Sequence, residues 1–214
     1  MRLYLSSYKF GNKPEKLFEL LRGKKVKIAV ITNAADLFPE GGIKERFNDD
    51  ATFFALHGYK AERLDLRDYF GKQEELSRKL GEYGLAWIRG ANVFVLRRAM
   101  AQSGFDKILN EKLKDDSIVY GGYSAGGCVL SPTLRGLELV DDAQSVPEGY
   151  SSEIIWDGLG IIPEVFVPHF KSDHPESEMV NESVEFLAKN GIPYKTLHDG
   201  EAIVINGDNE ELVG

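Results

Sequence analysis

The hydrophobic positions of this chain follow two alternating patterns, one typical of buried strands and the other of amphipathic helices. Residues 25–32 form a largely β-branched run, Lys-Val-Lys-Ile-Ala-Val-Ile-Thr, of the kind found in strands buried on both faces of a parallel sheet. Residues 14–21, in contrast, repeat leucine and phenylalanine at helical spacing. Strands and helices alternate in this way as far as residue 124, which predicts βαβ units and a mostly parallel sheet.

The predicted elements define an α/β fold, a three-layer doubly wound sheet with helices on both faces. Strands are predicted at residues 2–6, 25–32, 59–66, 85–88, 117–124, 165–168, 194–197 and 202–205. Helices are predicted at residues 14–21, 43–57, 74–83 and 176–190, and around the apolar positions 94–99 and 105–113. We expect Gly84 to end the third helix, and an Asp-Gly turn at residues 198–201 to join the last two strands as a hairpin.

The pattern changes after residue 124. Residues 131–157 contain several prolines and glycines and few periodic runs, with one short strand predicted at residues 137–140. Long irregular segments in compact domains often build part of a binding site. The length of 214 residues suits a single domain that spans residues 1–214.

Composition narrows the class of protein. The chain is 43% hydrophobic and 28% charged, and its net charge of −8 disfavours binding to nucleic acid or to anionic membranes. No apolar run approaches the length of a membrane span, and charged residues follow the N-terminal apolar segment too soon for a signal peptide. Cys128 is the single cysteine, so we expect a cytoplasmic protein without disulfides. Nothing in the sequence demands a partner chain, and a monomer or small homo-oligomer is expected.

Residues 121–127, Gly-Gly-Tyr-Ser-Ala-Gly-Gly, lie where a predicted strand leads into a helix. A nucleophilic serine on a G-x-S-x-G turn needs small neighbours, because larger side chains would collide with the strand, the helix or the substrate. The pattern therefore identifies Ser124 as a candidate nucleophile. The alternative is an ordinary glycine-rich turn.

A serine nucleophile requires a base, which is usually a histidine oriented by a carboxylate. The four histidines are His57, His169, His174 and His198. His169 directly follows a predicted strand, where catalytic groups of doubly wound folds collect, whereas His174 lies in a polar stretch that is expected to be exposed. His169 is therefore the candidate base, and the alternative is a strand-end histidine with a structural role. The histidines lack metal-ligand spacing, so neither a metal nor another cofactor is expected.

The orienting acid and the oxyanion donors have several candidates. Carboxylates are available at four positions, namely Asp199, Glu201, Asp141 and Asp142. The backbone amide of Ala125 follows the nucleophile, and a second donor is expected at Gly90 or Ala91, where small residues let the backbone approach a reacting carbonyl. Asn92 completes this candidate substrate-binding loop, and it also fits the N-cap of the next helix. Cys128 is a rival nucleophile, but it is expected to be a buried core residue.

Several of these pieces together resemble one family, the serine peptidases of family S51, which include aspartyl dipeptidase (peptidase E) and cyanophycinase. The matching segments are residues 122–126, 132–135, 90–94 and 167–170, in family order and at similar separations. The resemblance implies a class I glutamine-amidotransferase-like fold, with Ser124 as the nucleophile and His169 as the base. It places the catalytic acid at Asp199, with Glu201 as the alternative.

Two departures from the family bear on specificity. The loop at residues 89–92 has Arg89 and Ala91 where glycines are expected, and the acidic segment at residues 171–178 lacks the arginine that would recognise an N-terminal aspartate. We therefore expect a serine peptidase that cleaves an amide bond in a dipeptide or other small peptide, without a stated preference for aspartate. The alternatives are an esterase or acyl hydrolase that uses the same site, and a binding protein that retains the fold without catalysis.

Overall fold

The computed structural model describes residues 1–24 and 26–214. In this part of the chain nine strands follow one another: β1 (Arg2–Ser6), β2 (Lys27–Ile31), β3 (Lys60–Arg63), β4 (Tyr83–Ile88), β5 (Val119–Tyr123), β6 (Val165–Val167), β7 (Tyr194–Thr196), β8 (Ala202–Asn206) and β9 (Asn209–Val213). Seven strands form one sheet in the order β3-β2-β4-β5-β1-β8-β9, and β6 pairs with β7 in a second, smaller sheet. The first five strands are parallel, whereas β8 runs antiparallel to β1 and to β9.

Helices cover both faces of the main sheet. They are α1 (Glu15–Leu20), α2 (Glu40–Leu56), α3 (Gln73–Leu80), α4 (Val93–Ser103), α5 (Phe105–Lys114), α6 (Ala125–Cys128) and α7 (Ser177–Lys189). Side chains of α1 and α2, such as Leu17 and Phe54, are buried in one apolar cluster, and those of α3, α4 and α5 are buried in a second, larger one. Strand residues alternate between the two clusters, as a sheet buried on both faces requires. The predicted fold class is confirmed.

Most predicted elements are present, but the third helix ends earlier than predicted and the strand after it begins earlier. The helix predicted at residues 74–83 ends at Leu80, and Gly81 rather than Gly84 follows it as the C-cap. Gly84 lies within β4, where a β-carbon would come within 2.4 Å of the Val26 side chain. This glycine therefore permits close packing and does not end a helix. The first residue of the strand predicted at 25–32 lies outside the described residues.

The predicted C-terminal hairpin is wrong. The Asp-Gly turn at residues 198–201 does not join paired strands, because β7 pairs with β6 while β8 pairs with β1 and β9. The hairpin that does form joins β8 to β9, with Asn206 paired to Asn209 across the turn. The strand predicted at residues 137–140 is also wrong, since residues 137–139 form a single 3₁₀ turn. The pairing of β7 with β6 cannot be deduced locally, because it depends on which strand lies alongside, whereas the β8–β9 hairpin has a local signal in its two-residue Gly207-Asp208 turn.

Within residues 1–24 and 26–214, no helix is both long enough and apolar enough to span a membrane.

Candidate active site

Three neighbouring parallel strands end at the same edge of the sheet, and the residues that follow them converge there. β1 leads into Ser7, β4 leads into Gly90, and β5 leads into Ser124. Because the strand order is β4-β5-β1, these three segments are adjacent in space. Ligand sites of open α/β sheets lie at the carboxyl ends of the strands. Ser124, which follows the middle strand of the seven, therefore stands at the centre of this edge.

The backbone at Ser124 is strained. Its φ of 49° and ψ of −119° lie in a region that residues with a side chain rarely adopt. A nucleophile elbow has this geometry, because the sharp strand-to-helix turn raises the hydroxyl above the sheet. The carbonyl of Ser124 accepts hydrogen bonds from the amides of Gly127 and Cys128, at 2.8 and 2.9 Å, and these hold the turn in place.

Glycines beside the elbow are required by close packing. A β-carbon on Gly90 would lie 2.8 Å from Cβ of Ser124 and 2.9 Å from the ring of Tyr123. A β-carbon on Gly126 would lie 2.4 Å from the carbonyl oxygen of Ile88. These separations are shorter than real carbon contacts, so larger residues would push the loop after β4 away from Ser124. The loop and the elbow thus meet backbone to backbone.

The same packing places unbonded amides around the serine hydroxyl. The backbone amides of Gly90, Ala91 and Ala125 donate no hydrogen bond to another described residue. The short length of α6, four residues, means that the individual amides and not a large helix dipole would hold an oxyanion. The side chain of Asn92 is already used: its Oδ1 accepts from the amides of Phe94 and Val95 as the N-cap of α4.

His169 and Asp199 come together through the small sheet. Because β6 and β7 are parallel and Val167 pairs with Thr196, the segments that follow both strands leave at the same end. The Nδ1 atom of His169 lies 2.7 Å from Oδ1 of Asp199. An ionised carboxylate only accepts hydrogen bonds, so Nδ1 carries the proton and Nε2 keeps its lone pair. His169 and Ser124 both line the cleft described below.

Ser7, which was not predicted from the sequence, connects His169 and Asp199. Its Oγ donates a hydrogen bond to Oδ1 of Asp199 at 2.7 Å and accepts one from the backbone amide of His169 at 2.8 Å. Ser7 is completely buried. The amide contact also supports His169 in a left-handed conformation, with a φ of 60°. The available signal was a pair of polar residues, Ser6 and Ser7, at the carboxyl end of a buried strand.

The expectation that His174 is exposed is wrong. Its ring stacks on the ring of His169, with centroids 3.8 Å apart and planes inclined by 9°. The ring of Tyr8 packs edge-on against both histidines, with centroid distances of 5.9 Å to His169 and 5.5 Å to His174. The candidate base is therefore held between its carboxylate and two aromatic neighbours. The turn after Pro168 folds residue 174 back over the site, which residue spacing alone did not indicate.

The electrostatic surroundings of His169 favour its neutral form. Burial lowers the pKa of His169 below its usual value of 6.5, and the neighbouring His174 lowers it further. Asp199 opposes this effect through its charge and its hydrogen bond. The balance keeps the pKa below the usual value, so the imidazole is neutral near pH 7 and is able to accept a proton.

The same cluster contains three side chains that could bind a metal ion. His169, His174 and Glu176 bring potential ligand atoms within 4.8 Å of one another, an arrangement that their spacing in the sequence did not indicate. A metal ion lies close to the plane of each imidazole that binds it. The two rings are nearly parallel and stacked, so one ion cannot lie in both planes. The cluster as folded is suited to packing around the candidate base.

The remaining candidates occupy other places. Glu201 accepts a hydrogen bond from the amide of His198 and does not contact His169. Asp141 accepts from the amide of Val93, and burial raises its pKa to about 7, while Asp142 bonds within its own turn. Cys128 is buried, and its thiol donates to the carbonyl of Phe166 at 3.4 Å. Burial raises the pKa of this thiol well above its usual value, which disfavours the nucleophilic thiolate.

A cleft of about 270 Å³ opens directly beside Ser124. Its lining residues are Tyr8, Lys9, Phe38, Arg46, Arg89, Gly90, Ala91, Tyr123, Ser124, His169, His174 and Glu176. Sites for drug-sized ligands typically measure roughly 300–1,000 Å³, so this cleft suits a small substrate. Arg89, one of the departures from the family pattern, is buried and forms an ion pair with Asp50 at 3.2 Å. This contact holds the Arg89 side chain against α2.

The chain is similar in sequence to known peptidases. The family model for peptidase family S51 matches residues 6–213. An uncharacterised peptidase of Listeria monocytogenes is 26% identical over 169 residues, which cover 74% of this chain and 77% of that protein. Peptidase E of Streptomyces coelicolor is 28% identical over 156 residues, which cover 71% of this chain and 60% of that enzyme.

Two solved structures share the fold. A Listeria monocytogenes protein assigned as a peptidase E superposes with a TM-score of 0.79 at 21% identity, covering 99% of this chain and 97% of the other. A peptidase from an acI-B1 Actinobacterium superposes with a TM-score of 0.75 at 19% identity, covering 100% and 87%. At these identities the superpositions establish the architecture, and the family match establishes the relationship. The chain belongs to peptidase family S51 and is a peptidase of the serine hydrolase class.

Proposed function

We propose that this enzyme hydrolyses the amide bond of a dipeptide or similarly small peptide through a Ser124-His169-Asp199 triad. The observation that carries the proposal is the 2.7 Å contact between His169 Nδ1 and Asp199 Oδ1, beside a strained Ser124 in a shared cleft. The cleft volume of about 270 Å³ supports a small substrate. The buried, free thiol of Cys128 is consistent with work in the reducing cytoplasm.

In the proposed reaction the Ser124 hydroxyl attacks the substrate carbonyl, and Nε2 of His169 accepts the hydroxyl proton. The amides of Ala125 and of Gly90 or Ala91 hold the oxyanion of the tetrahedral intermediate. His169 then donates its proton to the leaving amine as the C–N bond breaks, which leaves an acyl-enzyme. Water, deprotonated by His169, attacks the ester carbonyl; the C–O bond to Ser124 then breaks, His169 returns the proton to Oγ, and the acid product leaves. Asp199 stabilises the imidazolium and keeps Nε2 directed at the reacting atoms.

A fluorophosphonate probe with peptide mapping tests the nucleophile, because such probes label activated serines. We expect labelling at Ser124 in the wild type, and its loss in Ser124→Ala and His169→Ala. His57→Ala is the matched control, since this histidine lies at the exposed end of α2 and bonds only to the carbonyl of Phe53. Labelling that persists in His169→Ala would contradict the triad.

A substrate panel tests the reaction class. We expect wild-type enzyme to hydrolyse at least one free dipeptide, and Ser124→Ala to lose that activity. Turnover of simple esters with no turnover of any peptide would favour an acyl hydrolase that uses the same residues.

A further inference from the structure

Two cations face the active-site cleft without a carboxylate partner. Of the three basic residues that line it, Arg89 is paired with Asp50. Neither Lys9 nor Arg46 forms a salt bridge to any residue within the described ranges. The chain has 34 acidic and only 26 basic residues, so uncompensated positive charge beside the nucleophile is a local exception. Such charge attracts an anionic group of the substrate.

Contacts with the protein order both residues before any substrate binds, Arg46 through its side chain and Lys9 chiefly through its backbone. The guanidinium of Arg46 lies over the ring of Phe38, 4.1 Å from its centroid, and Nη1 donates to the carbonyl of Gly42 at 3.2 Å. The ammonium of Lys9 lies 5.1 Å from the centroid of the Tyr8 ring. The backbone of Lys9 is fixed as well, since its carbonyl accepts a hydrogen bond from Ser6 Oγ at 2.5 Å. Prior ordering reduces the entropy cost of binding an anion.

The position of Tyr8 indicates which end of the substrate these cations meet. His169 must face the leaving nitrogen in order to protonate it. Tyr8 packs against His169, and Lys9 lies over Tyr8, so the wall that carries Lys9 borders the leaving residue, while Arg46 lines the same cleft. In a dipeptide the carbon of the terminal carboxylate is two bonds from the leaving nitrogen. The only carboxylate that a dipeptide always presents on this side is therefore its C-terminus.

We propose that Lys9 and Arg46 bind the C-terminal α-carboxylate of the leaving residue and thereby restrict cleavage to dipeptides. The inference rests on the proposed peptidase function of the same site. A longer peptide presents a neutral amide at this position and loses the charge-assisted contacts. Glu176, an acidic residue of the cleft lining, lies beside the two histidines, 3.9 Å from Nδ1 of His174.

The test compares kcat/KM for a dipeptide and for the same dipeptide with a C-terminal amide. We expect wild-type enzyme to prefer the free acid by about tenfold or more, as loss of a charge-assisted hydrogen bond implies. Lys9→Gln and Arg46→Gln should each reduce that ratio, and the double variant should bring it close to one. The ratio is the readout because damage to the catalytic groups lowers both rates alike. Lys44→Gln is the matched control, since this lysine is exposed on α2 and does not line the cleft.

The outcomes separate this inference from the proposed function. Hydrolysis of acid and amide at equal rates by the wild type, or an unchanged ratio in the double variant, would overturn the inference while leaving the peptidase activity in place. Hydrolysis of neither peptide would remove the proposed function and this inference with it. A second pair, with aspartate or asparagine as the first residue, checks the source of the carboxylate. If the Lys9 and Arg46 variants lose discrimination only between the aspartate and asparagine peptides, the cations bind a substrate side chain and the inference is overturned.

Discussion

Ser7 Oγ lies 2.7 Å from Asp199 Oδ1 and donates a hydrogen bond to it, although the two residues are 192 positions apart in the chain. The same oxygen accepts the amide of His169. One buried hydroxyl therefore joins the end of β1 in the main sheet to both partners from the small sheet. This hydroxyl therefore helps to fix the position of His169 and Asp199 relative to the end of β1.

Ser7→Ala should lower kcat by roughly 10- to 100-fold and change KM little, because a hydrogen bond to a charged group contributes about 1.5–3 kcal/mol. Ser7 contacts no substrate in our proposal and acts by positioning Asp199 and His169. Steady-state kinetics on a dipeptide measures the effect. Ser103→Ala is the control, since Ser103 is similarly buried and its hydroxyl bonds at the junction of α4 and α5, outside the cleft lining. An equal fall in kcat for both variants would show that Ser7→Ala acts by general destabilisation and not by misplacing Asp199 and His169.

Asp199→Asn should abolish most activity, whereas Glu201→Gln should change it less than about threefold. The loss expected for the aspartate is as large as about 10⁴-fold, the size seen when the orienting carboxylate of a Ser-His-Asp triad becomes an amide. The carboxylate of Glu201 accepts the amide of His198 in the adjacent turn, and that substitution leaves the backbone bond from Ser7 to the Glu201 carbonyl in place. Measurement of kcat/KM for both variants decides between them. A larger loss in Glu201→Gln would reverse the assignment of the acid.

The pH dependence should follow the ionisation of His169. Only the neutral imidazole accepts the proton of Ser124, so kcat/KM should rise with pH and level off above the pKa of His169, which lies below 6.5. His174 lowers that pKa, so His174→Gln should move the acidic limb to higher pH. Asp199 raises it, so the residual activity of Asp199→Asn should have its acidic limb at lower pH. Shifts of the two limbs in the same direction would contradict this account.

Gly90→Ala should reduce kcat at least 100-fold, the size expected for a lost oxyanion donor. The added methyl group would lie 2.8 Å from Cβ of Ser124, so the loop that carries the donor amide must move. The rate of labelling by a fluorophosphonate and kcat for a dipeptide should fall together. Gly41→Ala is the control, because a β-carbon there meets nothing within 4 Å and alanine favours the helix. Wild-type kinetics in Gly90→Ala would remove this loop from the oxyanion site.

Features that depend on nearby residues could be predicted from the sequence. The apolar run of β2 and the small residues around Ser124 identified the parallel sheet and the elbow, because burial and steric exclusion act on those residues directly. The location of His169 at the end of β6 also followed from a local pattern. The position of Gly84 did not, since a glycine that follows a helix and a glycine that packs under Val26 look alike in sequence.

Contacts between distant segments were decided only by the tertiary structure. The parallel pairing of β6 with β7 brings Asp199 rather than Glu201 to His169, whereas the sequence alone favoured a hairpin there. Folding likewise brings Ser7 to Asp199 and places the unpaired Arg46 beside Ser124. A sequence determines the local conformations that its side chains permit. Which charged and polar groups meet depends on the order of the strands and on where later segments pack against the sheet. Both are set by the packing energy of the whole sheet.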